Sequence, residues 1–470
     1  MTCAENIETD ETIASESTES AETAEPTEST EDAKAVEITE SDEAAEPPES
    51  ADSDEAAEPE KESKLAGIGA WAAAEIKRLI EAYGPRAPGS EAEHKAQQDM
   101  AAQMAPWADS VVTEGFAVHR QAFMGFIPFT VFLTMGAAVL FWFGRALVGL
   151  ILVGAAAVPL ILEFAMYRQF VDILFKAYPS HNVIATRKAR SGTPKKRIYL
   201  AAHADSQYEW TLNYRLGGIG MKLVLIPAVV GMVVCFCANA LRFVLIDTLG
   251  FADRGFLYWL FRVAGIALFC LFPMCIGFLF FQSRRRSVPG ASDNLTGCYA
   301  AMALLKSMAE REERFEDTEL VILITGSEEA GLRGSKAFVK RHRKELRDPA
   351  VLTAAIGADT FRDLKDIAVY NRDLSGTLRH SPKMQALLQK AGKACGYDLP
   401  AASIYIGACD AVAFTQAKIP ATGFAAMDPT PPRYYHTRLD DLDHLEPDAI
   451  EAAAEILCEA VRMFAENGLE

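Results

Sequence analysis

Four long, almost uncharged apolar runs constrain this chain more than any other feature. They occupy residues 123–143, 146–166, 223–245 and 256–281, and each reaches the roughly 20 apolar residues that a bilayer crossing needs. Stretches such as FIPFTVFLTMGAAVLFWF and ALVGLILVGAAAVPLILEF are apolar on every face, unlike the one-sided stripe of a helix packed on a soluble core. Only Gly144-Arg145 separates the first pair and IDTLGFADRG the second, so the runs form two helical hairpins. The expected product is an integral protein of the cell membrane with four transmembrane helices and the lipid bilayer as a partner. Basic residues near the helix ends set orientation. Arg120, Arg168, Lys176, Arg215, Lys222, Arg284, Arg285 and Arg286 lie on the side of the remaining chain, against Arg145, Arg242 and Arg254 on the far side. The soluble part is therefore expected to face the cytoplasm.

The formal net charge of −18 is unevenly spread. Met1 to Glu60 holds 22 acidic residues and one base, Lys34, which leaves about +3 for everything else. This stretch of Glu, Ala, Ser, Thr and Pro lacks any aromatic residue and cannot bury enough apolar surface to offset chain ordering, so residues 1–62 read as a disordered acidic tail. A solvating arm is its plain role, and docking of a basic partner is the sharper one. No nucleic-acid partner is expected, and no positive segment followed by an apolar run opens the chain as a secretory signal would. Nine scattered cysteines suit a reducing compartment better than a disulfide framework, with Cys235 and Cys237 as packing or lipid-facing residues.

With the tail and apolar runs set aside, short apolar strands alternate with helical patterns. Strands are expected at 182–185, 198–202, 320–324, 354–357, 367–370 and 404–406. Helices are expected at 70–82, 91–104, 297–308, 335–343, 383–394 and 447–467. Such alternation points to an α/β fold: a three-layer α/β/α domain with a mixed, largely parallel central sheet. The soluble domain would comprise residues 63–122, 167–220 and 282–470, interrupted by hairpins at 123–166 and 221–281.

Polar clusters stand where these elements end. The strand IYLAA runs into His203-Ala-Asp205, VILIT into Gly326-Ser-Glu328-Glu329, and AAIGA into Asp359. Asp293 opens a helix, and Tyr434-Tyr435-His436-Thr437 lies in a late loop. Each cluster alone is ordinary surface or packing. Together they supply imidazole and carboxylate ligands of the type that holds zinc, at strand ends where ligands converge in such sheets. Two metals at close spacing need a bridging carboxylate, and each needs its own imidazole and carboxylate. This gives Asp293 as bridge, His203 and Asp359 on one ion, and Glu329 and His436 on the other. Glu328 remains free as general base, and Asp205 is placed to accept the second imidazole N–H of His203. Tyr435 is either an oxyanion donor or a packing residue. Manganese or cobalt would suit similar ligands.

Seven stretches carry a resemblance: GPRAPGSEAEHKAQ from Gly84, HNVIA from His181, AAHAD from Ala201, GASDNLTG from Gly290, GSEEAGLRGS from Gly326, GAD from Gly357 and YYHT from Tyr434. In this order they resemble the co-catalytic zinc exopeptidases, the family that includes aminopeptidase S, aminopeptidase Y and the glutamate carboxypeptidases. The resemblance implies a di-zinc aminopeptidase acting on peptide substrates, with the ligand and base assignment reached above. Another metal-dependent amide hydrolysis, of carboxypeptidase or deacylase type, and a catalytically silent membrane scaffold are the alternative readings. Two departures stand out. The second hairpin separates Asp205 from Asp293, and Ala408-Cys409-Asp410-Ala411 replaces a Ser-Asp-His run, so substrate preference does not carry over. The 12 residues from Phe281 to Asp293 reach at most about 40 Å. The metal site is thus expected close to the bilayer, with a substrate arriving at the membrane surface, such as the product of another membrane protease.

Overall fold

The computed structural model describes residues 65–404, 407–428, 430 and 432–470. The acidic tail, its disorder and its basic partner lie outside the described residues. Nine strands form one sheet: β1 Ser110–Val118, β2 Tyr178–Arg187, β3 Lys196–His203, β4 Thr318–Thr325, β5 Leu352–Phe361, β6 Ile367–Asp373, β7 Leu378–Arg379, β8 Ala401–Ser403 and β9 Ala421–Ala426. Their order is β1-β2-β4-β3-β5-β9-β6-β7, with β8 beside β6. The centre, β4-β3-β5-β9, is parallel, while β1 and β2 add antiparallel strands at one flank and β6 runs antiparallel to β9 at the other.

The parallel centre is buried on both faces, which explains its near-continuous apolar runs. Ile198, Leu200 and Ala202 of β3 point into one core with the helices Ile68–Tyr83, Gly297–Glu310 and Pro447–Asn467. Tyr199 and Ala201 point to the other face, against Phe338 of Arg333–Arg341 and Phe414 of Ala411–Gln416. The period of two in each strand thus fills two cores and yields the three expected layers. Ile450, Leu457, Val461 and Phe464 of the last helix are fully buried at helical spacing. Truncating Phe464 to Ala would cost about 3–5 kcal/mol.

Helices at Glu91–Met104 and Pro447–Asn467 have the expected limits. Three differences have local causes. β1 and β9 escape the sequence reading: β1 is a partly exposed edge strand, and β9 (ATGFAA) is made of small residues with little β-propensity. The strand expected at 404–406 is shifted to Ala401–Ser403; it pairs with β6 immediately after Pro400, and Tyr405 and Ile406 lie outside the described residues.

Four helical segments are long and apolar enough to cross a membrane: Ala122–Trp142, Ala146–Ala165, Thr211–Thr248 and Phe256–Phe278. Ala137, Phe141, Val153, Ala156, Cys235 and Phe261 pack between them, while Phe129, Phe132, Leu223, Ile226, Trp259 and Val263 point outward. The third helix starts at Thr211 rather than 223. A non-helical Gly217 (φ 70°, ψ 174°) breaks it, and the turn before that glycine is pinned to the domain through Asn213, whose amide donates to the carbonyls of Pro432 and Tyr435 at 3.0 and 2.9 Å. The second helix ends in a π-helical turn, Leu160–Ala165, after Pro159. Its buried Glu163 takes Arg333 in an ion pair at 2.5 Å and accepts the backbone N–H groups of Phe170 and Val171. Asp172 holds the same guanidinium at 2.6 Å.

Candidate metal centre

The parallel strands end on one side of the sheet, and the polar side chains gather there. His203 is the last residue of β3, Glu328 and Glu329 follow β4, and Asp359 lies near the end of β5. Asp293 stands in the turn that opens Gly297–Glu310, and its peptide bond to Asn294 is cis. Gly290 (φ 62°) allows the close approach in that turn, since a Cβ there would sit 2.7 Å from the Asp293 carbonyl oxygen. Asn294 then ties the turn to β5: its amide donates to Ala358 O at 2.9 Å and its oxygen accepts Thr360 N–H at 3.1 Å.

Asp293 sits between the two imidazoles. His203 Nε2 is 3.3 Å from its Oδ1 and His436 Nε2 is 3.0 Å from its Oδ2. Asp359 Oδ1 lies 3.9 Å from His203 Nε2, and Glu329 Oε1 lies 3.3 Å from His436 Nε2. His203, Asp293 and Asp359 form one group whose ligand atoms all fall within 4.8 Å of one another, and Asp293, Glu329 and His436 form a second. Asp293 is common to both, the arrangement that a bridging carboxylate requires. Glu328 Oε2 reaches 3.8 Å from His203 Nε2.

The electrostatics favour cations in this space. Burial pushes Glu328 well above the usual carboxylate range and Asp359 up to about 8. Burial also opposes the charged form of His436, yet Glu329 and Asp293 overcome it and hold its imidazole up to about 9. Asp293 is held below the usual range: burial opposes this, but hydrogen bonds from His203 and His436 prevail. Four buried carboxylates around two imidazoles repel one another unless protonated or neutralised by metal. Glu329 Oε1 and His436 Nδ1 have no hydrogen-bond partner among the described residues. The donor set therefore fits two zinc ions.

Supporting residues fix these side chains, and several were not foreseen. The Asp205 carboxylate faces the His203 imidazole at the expected place, with Oδ1 3.6 Å from Nδ1, but its closer partners lie elsewhere. Nδ1 is 3.1 Å from the Asp205 backbone oxygen, whereas the carboxylate accepts the N–H groups of Glu328 and Glu329 at 3.0 and 3.1 Å. Those amides would otherwise be buried orphans, which is why the carboxylate turns to them. Asp440, three positions past the last cluster residue that sequence singles out, accepts the N–H groups of Ser292 and Asp293 at 2.8 and 3.0 Å. Glu93 sits where a capping glutamate would fold back on Ser90, but it accepts Ser327 N–H at 2.6 Å and holds that residue in a left-handed conformation (φ 52°). Gln207 donates to Glu329 Oε2 at 2.6 Å. Arg86, inside GPRAPGSE, is buried and donates to Ala204 and Gly290 carbonyls.

A cleft of about 870 Å³ covers the centre. Its walls come from both parts of the chain: Tyr370, Phe424 and Met427 from the sheet side, and Phe123, Phe164, Tyr167 and Trp210 from the hairpin ends. Trp210 meets the His436 ring edge-on at 4.5 Å, and its N–H donates to His436 O at 2.8 Å. Tyr435 stacks on His436 at 3.7 Å, with its hydroxyl against Gly407 (φ 122°), 3.1 Å from where a Cβ would sit.

This is the fold of the zinc exopeptidases. Among solved structures, the chain is similar to a zinc aminopeptidase from Bacillus subtilis, with 16% identity, TM-score 0.50, and 84% of this chain and 95% of that one covered. Further similar structures are a glutaminyl cyclase from an Acidobacteriales bacterium (13% identity, TM-score 0.49, 85% and 96% covered) and a zinc-dependent exopeptidase from Parabacteroides distasonis (12%, 0.49, 84% and 97%). Comparison with curated protein sequences found no match. Residues 279–461 match the model of Peptidase family M28. The matched segment holds Asp293, Glu328, Glu329, Asp359 and His436, while His203 precedes it.

Proposed function

We propose that this protein is a membrane-embedded di-zinc aminopeptidase. The observation that carries this reading is the cleft's charge: it holds the carboxylates described above and no lysine or arginine among its described lining residues. With no lysine or arginine among these residues to pair a terminal carboxylate, the site favours trimming from the amino end over carboxypeptidase action.

His203 and Asp359 would hold one zinc, Glu329 and His436 the other, with Asp293 shared. When bound, the pair of ions would polarise the scissile carbonyl and acidify a water between them. Glu328 takes a proton from the attacking water as the O–C bond forms, and returns it to the leaving amine as the C–N bond breaks. Its raised proton affinity suits both steps. Asp205 and Glu93 hold the loop that aims Glu328, and Asp440 holds the turn that aims Asp293. Tyr435 supplies a hydroxyl beside the developing oxyanion.

In the same reading, residues 123–166 and 221–281 are the membrane hairpins, and residues 63–122, 167–220 and 282–470 build the peptidase domain on the cytoplasmic side. The outward apolar side chains of the four long helices support insertion. Because hairpin ends wall the cleft, the substrate is a peptide met at the bilayer surface.

Trimming of a mixed peptide library by detergent-purified protein tests this, with Glu328→Gln alongside and chelation followed by zinc addition. Release of amino-terminal residues that is lost to chelator, restored by zinc and absent from the zinc-loaded variant is the expected result. Two bound zinc ions without amino-end trimming would reject the substrate class.

A further inference from the structure

A second cleft, of about 670 Å³, adjoins the catalytic one and shares Phe123, Met124, Gln207 and Glu329 with it. It lies between the start of the first long helix (Gly125, Ile127, Pro128) and the end of the fourth (Leu279). Its polar wall is a relay in which Gln282 donates to Gln207 Oε1 at 2.8 Å and Gln207 donates to Glu329. Its cations are Arg120 and Arg284, and neither pairs with a carboxylate among the described residues. Arg120 lies 3.9 Å over the Tyr178 ring, and its buried Nε has no hydrogen-bond partner. The two clefts thus adjoin at Gln207 and Glu329, with carboxylates around the candidate metal ligands in one and two arginines in the other.

We infer that this second cleft is the binding site for the substrate's downstream part, and that Arg120 and Arg284 receive a free α-carboxylate. The inference rests on the aminopeptidase reading and names its substrate class: short peptides with an unblocked carboxyl end. The ammonium end is drawn to the carboxylate-rich cleft. The remaining residues pass Glu329, lay side chains against Phe123, Met124, Ile127 and Leu279, and end at the arginines. Arg120 and Arg284 in the second cleft, and the lack of lysine or arginine among the described residues of the first, fix the direction of threading. Longer chains and blocked ends lose the charge pairing, so the enzyme selects the last remnants of degraded protein over intact polypeptides.

The test uses full-length, zinc-loaded Glu328→Gln in phosphatidylcholine nanodiscs, which binds peptides without turnover. Alanine peptides of two to six residues with amino-terminal leucine are titrated calorimetrically, each as free acid and as carboxyl-terminal amide. At one length the acid should bind about tenfold more tightly, the usual scale of one well-placed charge contact. Arg120→Gln with Arg284→Gln, at unchanged zinc content, should erase that difference. Equal binding of acid and amide at every length overturns the inference, as does an acid preference that survives the double substitution. If adding phosphatidylglycerol abolishes the preference, lipid phosphate is the arginines' ligand and the inference is also overturned. Failure of the aminopeptidase reading shows separately, as wild-type protein that leaves the amino ends of these same peptides intact.

Discussion

Asp373, His380 and Cys409 lie as close together as the ligand groups of the candidate centre, and all three are buried. The two clusters nevertheless differ in what their polar atoms do. In the Asp373 cluster, His380 Nε2 meets Asp373 Oδ2 at 3.2 Å and Nδ1 meets Thr415 Oγ1 at 2.8 Å. Asp373 also accepts Leu374 N–H at 2.6 Å, and Cys409 N–H and S–H at 3.2 and 3.1 Å. Burial, then Asp373, pushes the Cys409 thiol well up, so it stays a proton donor rather than a thiolate ligand. In the candidate centre, by contrast, imidazole and carboxylate atoms crowd one space, two of them make no hydrogen bond among the described residues, and several proton affinities are displaced. Proximity of ligand-type residues is common to both; unsatisfied charge belongs to one. A hydrogen-bonded knot is complete as it stands, and a metal site is not.

Substitutions can break this contrast. The largest effect falls on the shared carboxylate: Asp293→Ala should lower bound zinc from two per chain and bring peptidase activity to background. Asp373→Asn should leave two zinc ions by elemental analysis. Next, Glu328→Gln should reduce kcat by about 10²–10⁴ with zinc retained, the range for a lost general base. Asp205→Asn, which acts through the loop amides and the His203 orientation, should weaken zinc affinity by about 10–100-fold in a competition titration with a chelating dye. His380→Ala should keep metal and lose stability, by about 1–3 kcal/mol for the buried carboxylate left short of a partner. A thermal melt reads that change, and a loss of zinc instead would merge the two clusters into one system.

The smallest effect is on pH dependence. In the metal-free centre Asp359 and His436 hold protons up to about 8 and about 9. Zinc must displace them at neutral pH, so binding should release protons and tighten as pH rises from 6 toward 9. Calorimetric titration in two buffers of different ionisation enthalpy measures the release. No proton release would mean that both groups are already deprotonated in the metal-free centre.

Much of the centre was legible in the chain because each ligand follows an apolar run with a clear end. IYLAA before His203, VILIT before the Glu328 loop and AAIGA before Asp359 are central strands buried on both faces, and their C-terminal ends share one edge of the sheet. Pairing of Asp293 with both imidazoles followed from ligand chemistry alone. Supporting groups were less legible. Asp440 acts through backbone amides in space, and no local pattern marks such a partner. Asp205 was found by its place two residues after His203, but which of its oxygens faces the ring depends on the amides of a loop more than 120 residues away. Phe164 reads as part of an apolar run and Trp210 stands outside every run, and sequence gives no sign that either folds over a cleft. β9 was missed because small residues that fit a crowded sheet leave no β-propensity signal.

The ligands are spread along the chain from His203 to His436, with the long helices Thr211–Thr248 and Phe256–Phe278 between the first and the second. During synthesis, a growing chain that has made His203 must still lay down that whole helical pair before Asp293 appears, and His436 comes only 34 residues from the end. Trp210, at the root of the pair, must then be in place to hold His436. The candidate centre is therefore the last part of the fold to be completed: a half-made chain holds at most a partial ligand set until His436 stands beside Trp210.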